Sequence, residues 1–189
     1  MMRRFWRISF LTIGVIVLGF LLAWGMVLAS SNPLQHGWMN RFPWPVACSS
    51  RGCVTTQDWA QQYNLAQKFS AVTGAAVSSP ADALTTAIRQ HMVEHAFLKS
   101  PVTLADATRY REQILQLTDE AMIKTTFGLT ASQYDKIVVL PFLKQQALQQ
   151  QLQADTIDDL YAKLAQERLI VLLPWHFRWD TQKGAVVTR

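Results

Sequence analysis

Residues Ile8–Ala29 read ISFLTIGVIVLGFLLAWGMVLA, a stretch that contains no charged side chain. As a helix, about 20 apolar residues rising by about 1.5 Å each cover the ~30 Å hydrocarbon core of a bilayer. Three arginines precede the stretch, and the next charged residue is Arg41. The positive-inside rule therefore predicts a cytoplasmic N-terminus, with residues 30–189 on the extracytoplasmic side. We predict a single-pass membrane protein that contacts the membrane through residues 8–29.

A cleaved signal peptide is the alternative interpretation of this stretch, because Val27 and Ala29 fit the −3 and −1 positions of a cleavage site. The apolar run is longer than an ordinary signal-peptide core, which favours a retained anchor. We divide the chain into a cytoplasmic tail with anchor (1–29), a linker (30–45) and an exported domain (46–189).

Charge and composition argue against a nucleic-acid partner. The chain has 18 Lys and Arg against 13 Asp and Glu, and three of the 18 precede the apolar stretch, so the remainder carries 15 basic and 13 acidic residues. This remainder has no basic stripe, so no nucleic-acid partner is expected. About 160 residues suffice for one domain with a hydrophobic core, and no motif in it predicts a bound cofactor.

The segment Val46–Thr56, VACSSRGCVTT, predicts two short strands around a turn at Ser50-Arg51-Gly52. Such a hairpin brings Cys48 and Cys53 close together, which makes a disulfide geometrically feasible. Free thiols and a metal site remain alternatives, although two thiols supply only half of a zinc site.

Helical periodicity then dominates. Gln57–Val72 is the first predicted helix. Two further predicted helices begin at capping-box patterns, Ser79 with Asp82 and Thr130 with Gln133. Two more predicted helices begin after the N-cap residues Thr103 and Thr156. Pro141 falls inside the longest helix and predicts a kink.

The C-terminal segment has β character. Leu169–Leu173 and Ala185–Thr188 are predicted strands, and Gln182-Lys183-Gly184 is a predicted turn. Between them, the aromatic run 174–179 either seals one end of the helical bundle or presents an apolar patch to a partner.

Three stretches of this sequence resemble the SurA-type N-terminal domain of parvulin-associated foldases. They are the hairpin VACSSRGCVTT, the run ALTTAIRQHMVEHAFLKSPVTLADATRY and the run FGLTASQYDKIVVLPFLKQQALQQQL. The resemblance covers about residues 45–155. It implies a mainly α fold: a SurA-N-like helical bundle with short β segments at the start and end of the domain, behind the N-terminal transmembrane helix.

The resemblance also implies a function, with one departure. Between Leu152 and Leu169 there are too few residues for a parvulin module, so prolyl isomerase activity is not implied. We expect a chaperone-like protein that holds exported, non-native polypeptides without chemistry. A structural or assembly subunit of an envelope complex is the alternative. The candidate client-binding residues are the apolar ones of the long helix and of the aromatic run: Leu140, Phe142, Leu143, Trp175, Phe177 and Trp179.

His91-Met92-Val93-Glu94-His95 matches the H-x-x-E-H pattern of inverted zincins. On a helix, His91 and His95 share a face and could bind Zn²⁺, with Glu120 or Glu167 as a third ligand. The competing interpretation is a half-buried helical stripe. We favour that interpretation, because five-residue motifs recur by chance. A zinc hydrolase is therefore the weakest of the three functional hypotheses.

Overall fold

The computed structural model describes residues 2–34, 42–50, 52–96, 98–99, 101–166, 171–172 and 174–189. Within these ranges the chain is mainly helical and carries two short sheets. The helices are α1 (Met2–Leu28), α2 (Thr56–Thr73), α3 (Pro80–Glu94), α4 (Leu104–Gln113), α5 (Glu120–Phe127), α6 (Ala131–Tyr134), α7 (Leu140–Gln151) and α8 (Ile157–Gln166). The strands are β1 (Pro45–Ser49), β2 (Gly52–Thr55), β3 (Val171–Leu172), β4 (Phe177–Asp180) and β5 (Ala185–Thr188).

The predicted membrane-spanning helix is wrong. Among the residues that the structure describes, no helix combines the length and the apolar character needed to cross a bilayer. The predicted single-pass topology, with a cytoplasmic N-terminus and an extracytoplasmic domain, is therefore wrong as well. The predicted fold class is wrong in its N-terminal transmembrane helix.

The last turns of α1 pack against the rest of the domain. Val27 near its end is only 1% exposed and belongs to the main hydrophobic core, and Ala23 and Trp24 rest against that core. The Leu28 carbonyl accepts a hydrogen bond from the Trp175 backbone N–H (3.0 Å). A count of apolar residues treats all of them alike, whereas the last turns of this helix are in contact with the domain.

Side-chain caps mark the starts of the helices, and those at Ser79, Thr103 and Thr130 are confirmed predictions from the sequence. The pairs Thr55–Asp58, Ser79–Asp82, Thr103–Asp106 and Thr130–Gln133 each form a reciprocal capping box. In each box the hydroxyl accepts a backbone N–H bond and the later side chain accepts the N–H of the cap residue.

The helices α2 and α3 end in different ways. Gly74 ends α2 in the left-handed conformation that glycine adopts without steric cost. By contrast, α3 ends at Glu94 without a glycine, and His95 is its C-cap residue.

The three-stranded sheet has the order β2-β1-β3 and contains the predicted hairpin. The last predicted strand, Ala185–Thr188, is confirmed as β5, and it pairs antiparallel with β4. Of the predicted strand Leu169–Leu173, Val171 and Leu172 form β3, and the other three residues lie outside the described ranges.

Two hydrophobic cores divide the folded chain into two lobes. The first lobe contains the sheets, α2, α3 and α8, and its core includes Trp59, Leu84, Met92 and Leu160. The second lobe contains α4, α5, α6 and the start of α7, around a smaller core that includes Ile123 and Val139. α2 contacts α5 and α3 contacts α7, so the lobes meet along the α2–α3 pair.

A π-helical segment, Asp135–Val139, joins α6 to α7 immediately before Pro141. Proline has no N–H and clashes with the carbonyl of the residue four positions earlier, here Ile137. The chain widens its turn instead of breaking, and the Leu140 N–H bonds to the Asp135 carbonyl five residues back. The predicted disturbance at Pro141 therefore takes the form of an extra residue in one helical turn.

Candidate functional site

Three cavities open side by side where the two lobes meet. Their volumes are about 410, 340 and 330 Å³. Leu65 on α2 lines all three, and Val138 and Phe127 each line two. Because the cavities share these side chains, we treat them as one depression and call it the groove.

Each wall of the groove comes from a different lobe. On α2 the lining residues Gln62, Leu65, Ala66 and Phe69 follow the helical repeat and form one stripe. The opposite wall comes from the second lobe: Phe127 on α5, Ile137 and Val138 in the π-helical segment, and Pro141 and Phe142 on α7.

Several of the lining side chains are exposed. Phe69 is 49% exposed and Phe142 is 41% exposed, although both are large and apolar. Large apolar side chains gathered at one concave surface are typical of a binding site. The groove therefore offers apolar surface that the fold itself does not cover.

Carboxamide side chains interrupt this apolar surface. Gln57, Gln61, Gln62, Asn64, Gln90 and Gln145 line one or more of the three cavities. A carboxamide carries both donors and acceptors, so it can satisfy either group of a peptide bond. The residues that line the groove in the described chain include no histidine and no cysteine.

The charged side chains in the groove are engaged by other protein groups. Arg89 bonds to Asp158 (3.0 Å) and to the Gly184 carbonyl (2.9 Å), and its guanidinium lies 4.5 Å from the ring centre of Tyr161. Asp82 belongs to the capping box of α3. Lys68 reaches the Phe127 carbonyl at 3.4 Å. The groove is thus suited to an uncharged, apolar occupant.

Tyr161 closes one end of the groove with its hydroxyl directed to Gln145 Oε1 (3.0 Å). Burial raises the pKa of Tyr161 to about 12, although the positive charge of Arg89 lowers it in part. The phenol is therefore neutral at physiological pH and acts there as a hydrogen-bond donor.

The predicted client-binding residues lie in different surroundings. Phe142 lines the groove, whereas Leu140 and Leu143 pack against the second core. Phe177 is 3% exposed and inaccessible, because it packs edge-on against Trp59 at 5.9 Å. Trp179 packs against the first core.

Trp175 lies in a separate depression. It is 60% exposed and lines a cavity of about 510 Å³ with Pro80 and Arg189. The structure therefore brings only Phe142 of the six into the groove.

The sequence did not single out the residues that form most of the groove. Phe69 and Ala66 lie within the predicted helix Gln57–Val72, but their partners in the groove, Phe127 and Val138, are about sixty to seventy residues further along the chain. One sequence feature could have indicated the groove: the face of α2 is rich in glutamine, and Gln61 and Gln62 interrupt its apolar stripe.

The two histidines of the H-x-x-E-H pattern lie against each other on α3. Their ring centres are 4.2 Å apart, and His95 Nδ1 lies 3.0 Å from the His91 carbonyl oxygen. Glu120 is an exposed residue at the start of α5, and Glu167 lies outside the described residues. Across the described chain, no group of three or more His, Cys, Asp or Glu is arranged to hold a metal ion.

Cys48 and Cys53 are paired directly across the β1–β2 hairpin and are joined by a disulfide with an S–S distance of 2.05 Å. The Gly52 backbone at the hairpin turn lies against the ring of His91, where a Cβ would come within 3.1 Å of Cε1. The hairpin therefore packs on α3 as well as on its neighbouring strand.

No family model matches this chain, and no curated protein or solved structure matches it either.

Proposed function

We propose that this chain is a chaperone-like protein that holds non-native polypeptides, and that the groove takes one apolar segment of such a polypeptide. The observation that carries the proposal is the composition of the groove. Apolar side chains from both lobes face one depression, carboxamides interrupt them, and the charged side chains present are already engaged.

The physical fit is to an extended segment of low charge. Such a segment has peptide groups that need partners once they leave water, and the carboxamides of Gln61, Gln62 and Asn64 offer both donors and acceptors. Its apolar side chains gain by contact with Phe69, Phe142 and their neighbours. A charged segment would lose hydration at the apolar walls of the groove without an equivalent gain.

The expected affinity is modest. Two or three buried apolar side chains contribute about 1.5–3 kcal/mol each, and the costs of association and ordering offset part of this gain. We therefore expect dissociation constants of about ten to several hundred micromolar, with little dependence on sequence. The resemblance to foldase N-terminal domains supports the same function, and the missing parvulin module argues against prolyl isomerase activity.

The test uses the full chain and two fluorescent peptides of equal length. One peptide alternates Leu or Phe with Ser, and the other alternates Lys with Glu. Fluorescence anisotropy should show micromolar binding of the first peptide only. The protein should also suppress light scattering by a chemically unfolded reporter enzyme.

Matched variants locate the binding surface. Phe69→Glu and Phe142→Glu should each weaken peptide binding about tenfold or more, since each places a charge where the segment is to be buried. Ile114→Glu is the control, because Ile114 is 63% exposed and lies outside the groove. Trp175→Glu tests the second exposed aromatic patch. Loss of binding in Trp175→Glu with no change in Phe69→Glu would contradict the assignment to the groove.

The assembly-subunit hypothesis predicts a different outcome. A subunit should bind one partner at fixed stoichiometry and leave aggregation of the reporter enzyme unchanged. Unchanged scattering at several-fold molar excess of the protein would therefore replace the chaperone proposal with that alternative.

A further inference from the structure

The disulfide lies at the edge of the three-stranded sheet, away from the groove. β2 is an outer strand in the order β2-β1-β3, so among the described strands Cys53 has a neighbour on one side only. Cys53 is exposed, whereas Cys48 lies on the central strand β1, is half-buried and also pairs with Val171 of β3. A thiol in solution thus meets Cys53 before Cys48.

The hairpin does not depend on this bond for its shape. The ladder from Pro45↔Thr55 to Ser49↔Gly52 holds the two strands in register. Val46 and Val54 are buried in the first core at 0% and 2% exposure. The bond closes a loop of only five residues' separation, and short loops gain least from cross-linking in the chain-entropy model.

We propose that Cys48–Cys53 is an exchangeable disulfide whose substrates are thiols, with Cys53 as the sulfur that is attacked. Exposed disulfides are the labile and reactive ones, whereas buried ones resist reduction. The proposal rests on exposure and strand position, and it is independent of the function proposed for the groove.

The exchange with a dithiol has two steps. A thiolate of the incoming dithiol forms a bond to Cys53 Sγ as the Cys53–Cys48 bond breaks, and Cys48 Sγ leaves with the electron pair and takes up a proton. The second thiol of the reductant then attacks the reductant's first sulfur, which is bonded to Cys53 in the mixed disulfide. Cys53 leaves as a thiolate and takes up a proton. The dithiol becomes a disulfide, and the protein gains two electrons and two protons.

The packing around the turn favours closure of the bond again after reduction. Gly52 has a φ of +139° and lies against the His91 ring, so both its conformation and its contact favour glycine. With the turn held on α3, the two sulfurs stay opposite each other in the reduced protein. Intramolecular closure then competes well with intermolecular exchange.

The test begins with the oxidised full chain, titrated with dithiothreitol and with glutathione redox buffers in the absence of denaturant. Alkylation and mass spectrometry should show reduction of the bond, while far-UV circular dichroism stays unchanged. A bond that opens only when denaturant unfolds the protein, or whose reduction abolishes the helical signal, would overturn the proposal.

Two single variants identify the sulfur that is attacked. In Cys48→Ser, the remaining Cys53 should react with oxidised glutathione, forming a mixed disulfide and releasing one reduced glutathione, about tenfold faster than Cys48 does in Cys53→Ser, because of its greater exposure. Circular dichroism of both variants verifies the fold. Equal rates, or a faster reaction at Cys48, would refute the assignment to Cys53.

Discussion

Replacing Asp135 with alanine should destabilise the folded protein by about 3–5 kcal/mol, because it leaves a buried guanidinium without its main counter-charge. Asp135 is 2% exposed and Arg111 is 5% exposed, and Arg111 Nε lies 2.7 Å from Asp135 Oδ1. The Thr108 hydroxyl donates to the other carboxylate oxygen at 2.9 Å and would lose that acceptor as well.

The remaining partners of Arg111 do not replace this carboxylate. Glu112 is bonded to Arg111 at 3.0 Å, but half of its side chain is exposed to solvent, which screens its charge. Burial by itself lowers the pKa of Arg111, yet the hydrogen bonds and charges of Asp135 and Glu112 raise it above its usual value. Asp135→Ala removes the largest of these stabilising contributions, but a guanidinium does not lose its proton in proteins. Arg111 therefore stays charged after the substitution and carries the desolvation cost.

Urea unfolding followed by circular dichroism measures the effect. With an m-value of about 2 kcal/mol per molar urea, the midpoint of Asp135→Ala should fall by about 1.5–2.5 M. The double variant Arg111→Met with Asp135→Leu should recover most of this loss, because apolar side chains of similar size replace both charges.

An exposed ion pair supplies the control. Asp158→Ala breaks the bond to Arg89, but 77% of the Asp158 side chain is exposed, so the cost should stay below about 1 kcal/mol. A loss below about 1 kcal/mol in Asp135→Ala, or a double variant no more stable than the single one, would refute the reasoning.

Two further predictions concern Tyr161 and the start of α3. Burial raises the pKa of Tyr161 from 10.0 to about 12, so stability that depends on the neutral phenol is fully present below about pH 10 and is lost as the pH rises through about 12. Tyr161→Phe should remove that decline from unfolding data across this range, and an undiminished decline would assign it to another group. Ser79→Ala removes the acceptor for the Asp82 N–H (3.1 Å) and should cost about 1 kcal/mol in urea unfolding. Ser79→Asp, which keeps an acceptor, should cost much less, and equal losses in the two variants would argue against the cap.

Local features of the fold were predictable from the sequence. The capping boxes at Ser79 and Thr130, the glycine end of α2 and the Cys48–Cys53 hairpin each depend on residues within a few positions of one another. Such features have their cause in the chain nearby, so a short stretch of sequence contains the whole signal.

Features that depend on distant packing were not predictable in this way. The β4 segment FRWD alternates Phe177 and Trp179 inward with Arg178 outward, yet its aromatic content suggested the end of a helical bundle. Its pairing with β5 is local, but the contact between Phe177 and Trp59 joins elements that are far apart in the chain. The same holds for Val27, whose burial at the end of α1 has no local signature.

The π-helical segment connects the two parts of the molecule that matter most for stability and for the proposed function. Pro141 removes one N–H from the long helix, and the preceding turn takes up an extra residue so that Leu140 bonds to Asp135. Within this widened turn, Asp135 faces α4 and pairs with Arg111 inside the second lobe. Ile137 and Val138 of the same turn face the groove. Without the extra residue, a regular α-helix would turn the side chains before and after this point by about 100° relative to one another. The irregularity that Pro141 favours therefore lets one short segment supply both a buried carboxylate and an apolar groove wall.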